Sequence, residues 1–434
     1  MVASSQAVSH TSLPTPNLGV SKGAQISAPL TLSQLAIVKS TAPILKENGE
    51  KITSLFYGNM IEHHPELHHI FNQTGQVTGA QPRALAGAVF AYASYVDDLG
   101  KLQTLVERIA HKHVSLTIQP EQYSIVGKYL IEAVATVLGD AVTPEVADAW
   151  TAAYAALADI FIKREKQLYD SHKDWTGWRR FKIQKKVEES SEITSFYLVA
   201  EDGQPLPNFK PGQYISLHVS IPEFGYMQPR QYSLSDAPHG DYYRISVKKE
   251  SGRDLGPRGW VSNVLHENYK EGDVVELTHP TGEFFVDPVT DDTAPIVLLS
   301  AGVGVTPMIS ILNSLVATHS NRPISWIHGT RSSELQAFKE HIQSTCNKSP
   351  NLTSTVFNSH VTKTDVKGVD YQFDGRMDLK KLHQSSVLFL DNRRTQYYVC
   401  GPTNFMNDVR RYLITDGVTS ERVHVEVFGV GDGE

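Results

Sequence analysis

PIVLLSAGVGVTPMISIL, residues 295–312, places a strand, a turn and a helix start in one short stretch. The unbroken apolar run Ile296 to Leu299 reads as a buried strand, because it offers no polar face to solvent. Ser300, Ala301 and Gly302 to Gly304 form a turn. Thr306 and Pro307 then open a helix, with Val305 at its threshold and Met308, Ile311 and Leu312 as its apolar face. Glycine lets the backbone approach a ligand, and unpaired N–H groups at a helix start face negative charge. Strand, glycine turn and helix together are how a phosphate-bearing nucleotide is held. Alone the motif is weak, since GxG turns also close ordinary βα units, so the rest of the chain must say which nucleotide and for what chemistry.

Downstream, RPISWIHGTRSS (322–333) supplies a strand ending near His328, and STVFNSH (354–360) another. RRTQYYVCGPTNFM (393–406) repeats strand, turn and helix, and ERVHVEVFG (421–429) closes on a strand. This alternation predicts an open parallel sheet whose ligands sit at the carboxyl ends of its strands. Gly302, Gly304, Thr306 and Pro307 lie at one such end, and Cys400, Gly401 and Pro402 at another. No histidine or acid close in sequence marks Cys400 as a thiolate. After the second strand come His328, Gly329, Thr330, Arg331 and Glu334. An acid there would grasp a ribose hydroxyl and an arginine would accept a 2′-phosphate; both are present.

Upstream the pattern changes. RRFKIQKKVEE (179–189), SEITSFYLVA (191–200), GQYISLHVSI (212–221), YYRISVKKE (242–250) and DVVELTHP (273–280) are alternating or β-branched, with turns between them. Short, closely spaced strands predict a barrel of about six strands over residues 178–287, ended by the glycine turn of TGEFF (281–285). Within PRQYSLSD (229–236), Arg230 is a forked cation suited to phosphate, Tyr232 a flat ring for stacking, and Ser233 a short donor beside it. Gln231 lies between them. GWVSNVLH (259–266) resembles a helix start in which Val261 leads to Ser262, placed to cap the helix and meet a phosphate.

Before Trp175 there is almost no strand signal. Thr31 or Ser33 can cap a first helix that meets a second near Pro43 and Gly49, and helical periodicity continues through residue 169. His63, His64, His68 and His69 surround Pro65 in a polar stretch and read as solvated surface. His111 and His113 differ by two and face different directions; Val106 and Ile109, seven and four residues earlier, place His113 inward. The totals bound the rest. A chain of 434 residues accommodates about three domains. A net charge of −7 argues against nucleic-acid or phospholipid surfaces, and two cysteines exclude a disulfide framework and fit a reducing compartment. No apolar run reaches membrane-spanning length. Residues 1–28 read as a disordered tail. Lys22 is their only lysine or arginine, which leaves them without a secretory pattern or an arginine-rich mitochondrial one.

SLFYGNM (54–60), HHIFNQTGQ (68–76), QPRALAGAV (81–89), AHKHVSLTI (110–118), EQYSIVGKYL (121–130) and FIKREKQLY (161–169) resemble the haem domain of the flavohaemoglobins. RxYS followed by a GxxS helix start resembles the flavin barrel of the ferredoxin–NADP reductase superfamily. The resemblance covers about residues 30–430. It implies a multidomain fold: a disordered extension (1–28), an all-α globin (29–174), a six-stranded antiparallel barrel (175–287) and an α/β parallel-sheet nucleotide domain (288–434). It implies haem b, FAD and NADH or NADPH as cofactors. His113 would bind iron, with Tyr123 and Glu165 as its hydrogen-bonding partners. Tyr57 and Gln81 would be the distal polar pair, Leu85 the apolar distal residue, Phe71 the haem wedge, and Lys112 a neighbour of a haem propionate. Arg230 and Ser262 would hold the FAD pyrophosphate, and Tyr232 and Ser233 would contact its isoalloxazine. Phe428 would cover its other face beside Glu426, and the Gly302 and Cys400 turns would receive the nicotinamide dinucleotide.

The implied activity is nitric oxide dioxygenation: nitric oxide and O2 to nitrate, with electrons passing from NAD(P)H through FAD to haem iron. A cytoplasmic monomer is expected, with no nucleic-acid partner and no membrane insertion. Two other readings stand beside it. One is a flavohaem reductase serving a quinone, ferric chelate or alkyl hydroperoxide; the other is an O2 or nitric oxide sensor. GPRGWVSN (256–263), preceded by SGRDL, lengthens the segment after Glu250 relative to the commonest bacterial form, and residues 431–434 form a short tail.

Overall fold

A capping box starts the first element: Thr31 Oγ1 accepts from Gln34 N–H at 3.2 Å, and Gln34 Oε1 accepts from Thr31 N–H at 3.0 Å. The computed structural model describes residues 28–252, 258–287 and 293–429. The expected N-terminal tail, part of the lengthened segment after Glu250 and the closing tail lie outside the described residues. α1 (Leu32–His63) runs unbroken for 32 residues, where two helices are expected around Pro43. Pro43 forfeits one backbone bond, a penalty of about 3 kcal/mol in a helix interior. The helix continues because Val38, Ala42, Leu45, Ile52, Phe56 and Met60 form one buried stripe. At Gly49 the next helix passes so close that a Cβ would lie 2.9 Å from Ala86 Cβ.

A short 3-10 turn (Pro65–His69) leads to α2 (Gln73–Val77), α3 (Ala80–Ser94), α4 (Gln103–Ser115), α5 (Pro120–Leu138) and α6 (Pro144–Ser171). Among the described residues no helix is long and apolar enough to cross a membrane.

The six strands of the middle unit are β1 (Arg179–Glu188), β2 (Ile193–Ala200), β3 (Tyr214–Ile221), β4 (Tyr226–Ser233), β5 (Tyr243–Lys248) and β6 (Val274–Leu277). They pair antiparallel in the order β4-β3-β6-β1-β2-β5. Ser235 N–H donates to Arg244 O at 2.8 Å, and Leu234 bridges Ile245, which brings the end of β4 round to β5 and closes the barrel. Inward residues such as Phe181, Ile183, Phe196, Leu198, Ile215, Leu217 and Ile245 fill it. α7 (Trp260–Glu267) packs alongside.

The last unit contains β7 (Ile296–Ala301), α8 (Val305–Ala317), β8 (Ile324–Thr330), α9 (Lys339–Lys348), β9 (Leu352–Asn358), β10 (Phe373–Asp374), β11 (Gln396–Cys400), α10 (Thr403–Thr415) and β12 (Val423–Glu426). Every pairing in the order β10-β9-β8-β7-β11-β12 is parallel. β7 lies between β8, its successor, and β11, which arrives much later. The strand order therefore reverses there, and the crevice beyond the ends of β7 and β11 is the topological switch point where α/β sheets bind ligands.

Several contacts seat the helical unit on the barrel, two of them through stacked histidines. His68 and His69 are not free surface: the His68 ring stacks on Tyr226 (4.8 Å between centroids), and Met227 N–H donates to His69 Nδ1 at 3.2 Å. Gln228 Nε2 donates to His68 O at 2.8 Å, while its Oε1 accepts from Gln73 N–H at 3.0 Å. The start of β4 is a barrel edge, and an edge strand's open polar groups need partners; the helical unit supplies them. At the second contact His172, the cap of α6, stacks on His279 beyond β6, with centroids 4.1 Å apart and planes 8° apart.

Burial, then the Pro280 carbonyl acting in the opposite direction, leave His279 with a pKa pushed from 6.5 down to about 4. Between those values the folded protein binds fewer protons than the unfolded chain, so the stability that His279 contributes is lost as pH falls from 6.5 towards 4. Replacing His279 with Phe is expected to remove on the order of 1–3 kcal/mol of the stability difference between pH 7 and pH 4. Urea unfolding at the two pH values checks this. An unchanged difference would contradict it.

Candidate active site

The last turn of α4 carries His111, Lys112 and His113, and each reaches a different neighbour. His113 Nδ1 lies 2.7 Å from Glu165 Oε1 and 2.9 Å from Tyr123 OH; the Tyr123 hydroxyl donates to the same carboxylate oxygen at 2.5 Å. A carboxylate only accepts, so Nδ1 carries the proton and Nε2 keeps its lone pair. Glu165 is 2% exposed on α6. Burial first, and then the Glu165 charge, hold the Tyr123 phenol far above its ordinary pKa. Tyr154 braces this group from behind, donating to Tyr123 O at 2.6 Å.

His113 lines a cavity of about 280 Å³ together with Tyr57, Phe71, Gln81, Leu85 and Val89. Tyr57 is buried, and burial raises its pKa, with the Gln81 side chain pulling weakly the other way. Gln81 Oε1 is buried with no hydrogen-bond partner among the described residues. An imidazole lone pair, an orphaned amide oxygen, a buried phenol and apolar walls in one cavity fit a haem.

Lys112 lines the same cavity, and its amine reaches out of the helical unit to Gln231 Oε1 of β4. Burial lowers it to about 8, helped by Arg230 and opposed by Glu426. Glu426 rises to about 8, first through burial and then through Glu283, while Arg108 and Lys112 oppose the rise. Arg230 Nη1 donates to Pro229 O at 2.7 Å and Nη2 to Thr74 Oγ1 at 3.1 Å. Neither partner is a carboxylate, and burial lowers it to about 10. Tyr232 is raised by burial, with Arg230 opposing. Ser233 Oγ is buried and partnerless among the described residues. A guanidinium, a ring and an orphaned hydroxyl on one strand fit a flavin nucleotide.

Ser262 does not cap α7. Gly259 holds that position, and a Cβ there would lie 2.6 Å from Ser262 Oγ. The Ser262 hydroxyl, next to fully buried Val261, accepts from Glu250 N–H and donates to Gly259 O, both at 3.3 Å.

His111 is legible in sequence only as facing away from His113. It is buried against the barrel, where Nδ1 accepts from Gly282 N–H at 3.1 Å beside Thr281 Oγ1 at 2.6 Å. Its Nε2 lies 3.2 Å from Glu107 Oε1, and Arg164 Nε fixes Glu107 at 2.7 Å.

The third element is a cleft of about 1100 Å³ lined by Gly302, Gly304, Gly401, Pro402 and Phe428, with Glu192, Lys248 and Glu250 on the barrel side. A Cβ at Gly304 would lie 2.2 Å from Cys400 O, so only glycine allows the two turns to meet. Gly302 adopts φ +55°. Val305, Thr306 and Pro307 are buried, and Thr306 Oγ1 donates to Val303 O at 3.1 Å. Cys400 is buried, its thiol raised well above its ordinary pKa by burial and then by Glu426, its register partner on β12. Phe428 is 42% exposed.

The fold and these pockets define a globin joined to a reductase of flavin and pyridine-nucleotide type. Residues 54–161 match the globin family, 180–286 the oxidoreductase FAD-binding domain and 298–411 the oxidoreductase NAD-binding domain. The flavohemoprotein of Bordetella pertussis is 49% identical over 401 residues, covering 91% of this chain and 98% of that protein. That of Bacillus subtilis is 43% identical over 399 residues, covering 91% and 96%. The flavohemoglobin of Malassezia yamatoensis, whose crystal structure holds FAD and haem, superposes with a TM-score of 0.81 at 28% identity, covering 93% of this chain and all of that one. The FAD/NAD-binding domain of nitric oxide dioxygenase from Vibrio cholerae is 35% identical, with a TM-score of 0.52 over 58% of this chain and 98% of that one. The chain belongs to the flavohaemoglobin family.

His111→Ala removes the acceptor for Gly282 N–H one residue from Lys112. Flavin reduction by NADH is expected to stay unchanged, while reduction of haem by flavin slows roughly tenfold, the equivalent of one hydrogen bond of about 1.4 kcal/mol. Anaerobic stopped-flow spectroscopy separates the two phases. Equal slowing of both, or of neither, would contradict the docking role.

Proposed function

We propose that this flavohaemoglobin is a nitric oxide dioxygenase, and that the residues above hold its cofactors and tune its chemistry. One observation carries the reading: a single helical turn places an iron-type histidine and a lysine on one buried cavity, and the lysine's amine reaches Gln231, beside Arg230 and Tyr232 on the barrel. When bound, FAD takes electrons pairwise from NAD(P)H and releases them singly to haem iron, where O2 and nitric oxide combine to give nitrate.

The chain's own residues then have separable tasks. Glu165 and Tyr123 hold the proton on His113 Nδ1, which makes Nε2 a stronger donor to iron. Tyr57 offers its O–H to negative charge developing in the cavity, with Gln81 beside it. Leu85 and Phe71 keep water out. Arg230 would take a pyrophosphate oxygen, with Ser262 in the first turn of α7 meeting the same group. Tyr232 and Ser233 would seat the isoalloxazine, with Phe428 as its aromatic cover. Gln231, Lys112 and Glu426 would lie between the flavin and the haem cavity. The turns at Gly302 and Cys400 admit the nicotinamide dinucleotide between the barrel and the parallel sheet.

The boundaries 29–174, 175–287 and 288–434 are proposed for the three units. We read the protein as a cytoplasmic monomer acting on small diffusible gases. Its two cysteines, both free, fit a reducing compartment.

The test is nitric oxide consumption by haem- and FAD-loaded protein with NADH, in air and without O2, while nitrate is followed. Rapid, O2-dependent loss with nitrate formed and one NADH used per two nitric oxide molecules is expected. Slow loss in air with brisk quinone or ferric-chelate reduction would instead favour the reductase reading. Tyr57→Phe is expected to speed O2 dissociation by roughly 10–100-fold, the worth of a hydrogen bond to a charged acceptor. Flash photolysis reads that rate, and an unchanged value would contradict the role given to Tyr57.

A further inference from the structure

Glu192 and Arg331 form an ion pair across the mouth of the large cleft, one from each wall. Arg331 Nη2 donates to Glu192 Oε1 at 2.5 Å and to Oε2 at 2.6 Å, and both residues line the cleft with the Gly302–Gly304 turn. Arg331 directly follows β8, the second strand of the parallel sheet. In such sheets the adenosine ribose sits at the end of that strand, where an acid grasps its 2′-hydroxyl or an arginine receives a 2′-phosphate. Here the arginine belongs to the sheet and the acid to the barrel.

The backbone of Glu192 is held in place. Its carbonyl accepts from Lys249 N–H at 2.8 Å, and Ser191 N–H donates to Glu334 O at 3.4 Å, stitching the barrel turn to the segment after Arg331. Glu334, the acid closer to Arg331 in sequence, thus engages that turn through its backbone carbonyl. Arg331 is 55% exposed and Glu192 30%. A pair this exposed is weakly held. A phosphate dianion offers the guanidinium fork more oxygens and more charge than a carboxylate. Arg376 lines the same cleft and brings a second guanidinium to it.

We propose that the Glu192–Arg331 pair sets the choice between NADH and NADPH. Arg331 is the receptor for the adenosine 2′-phosphate, and Glu192 occupies it in the resting protein. NADPH binds by displacing the Glu192 carboxylate, against charge repulsion; NADH binds without opening the pair. This inference rests on the reading of the cleft as the pyridine-nucleotide site.

The test uses full-length, haem- and FAD-loaded protein as wild type, Glu192→Gln and Arg331→Ala. Calorimetry gives the Kd of adenosine 2′,5′-bisphosphate and of 5′-AMP, and anaerobic flavin reduction gives kcat/KM for NADPH and NADH. Glu192→Gln is expected to tighten the bisphosphate and raise kcat/KM for NADPH about tenfold, with 5′-AMP and NADH changed less than about twofold. Arg331→Ala is expected to weaken the bisphosphate about tenfold and to spare 5′-AMP. Parallel changes in both members of each pair, or no change in either, would overturn the role of the ion pair. Wild-type protein whose flavin neither dinucleotide reduces would instead overturn the reading of the cleft.

Discussion

An α-helix turns about 100° per residue, so three consecutive side chains point in three directions. At the end of α4 that constraint ties two cofactor pockets together. His113 faces the helical core and Glu165, the Lys112 amine reaches Gln231 on β4, and His111 docks on the barrel at Gly282. A rotation of α4 large enough to disturb one contact disturbs all three. Glu107 and Arg164 fasten His111 from the far side, so α6, which supplies Glu165, also restrains the docking residue.

Lys112, Arg230 and Glu426 are ionisable groups in dense surroundings, and burial moves each towards its neutral form. Such groups do not stabilise a fold by themselves; apolar residues of similar size would do that better. Their placement makes sense as reception for a large, polar and anionic ligand that brings its own charge and hydrogen bonds. The orphaned atoms nearby, Ser233 Oγ in the barrel and Gln81 Oε1 in the cavity, have the same character. Polar atoms buried without partners are costly, and these two lie in the places where the chain's chemistry points to a cofactor.

Much of this is legible in the sequence because it depends on short-range patterns. The strand, glycine turn and helix at 295–312 form as expected, and the glycines are explained by the 2.2 Å approach that a Cβ at Gly304 would make to Cys400 O. Helical periodicity by itself turns His113 inward, and the cavity is where that direction leads. What could not be read depends on distant partners. The helix passes through Pro43 because a buried stripe on both sides outweighs one lost bond. β4 was hidden because its residues read as ligand contacts, although Tyr226–Ser233 pairs with β3 along its whole length. His68 and His69 look solvated until the barrel edge is brought against them. Ser262 looks like a cap, but Gly259 takes that position where Glu250 crowds any side chain. His111 has no sequence signal for its docking role beyond its direction, since its barrel partners lie about 170 residues away.

The central claim is that electrons cross from the flavin pocket to the haem cavity within one molecule, through the junction that α4 makes with the barrel. The most direct measurement is the rate of haem reduction after anaerobic mixing of the loaded protein with NADH, repeated over a wide range of protein concentration. A path through α4 predicts that flavin is reduced first and that haem follows at a rate independent of concentration. A haem-reduction rate that rises in proportion to protein concentration would show transfer between molecules and contradict the claim.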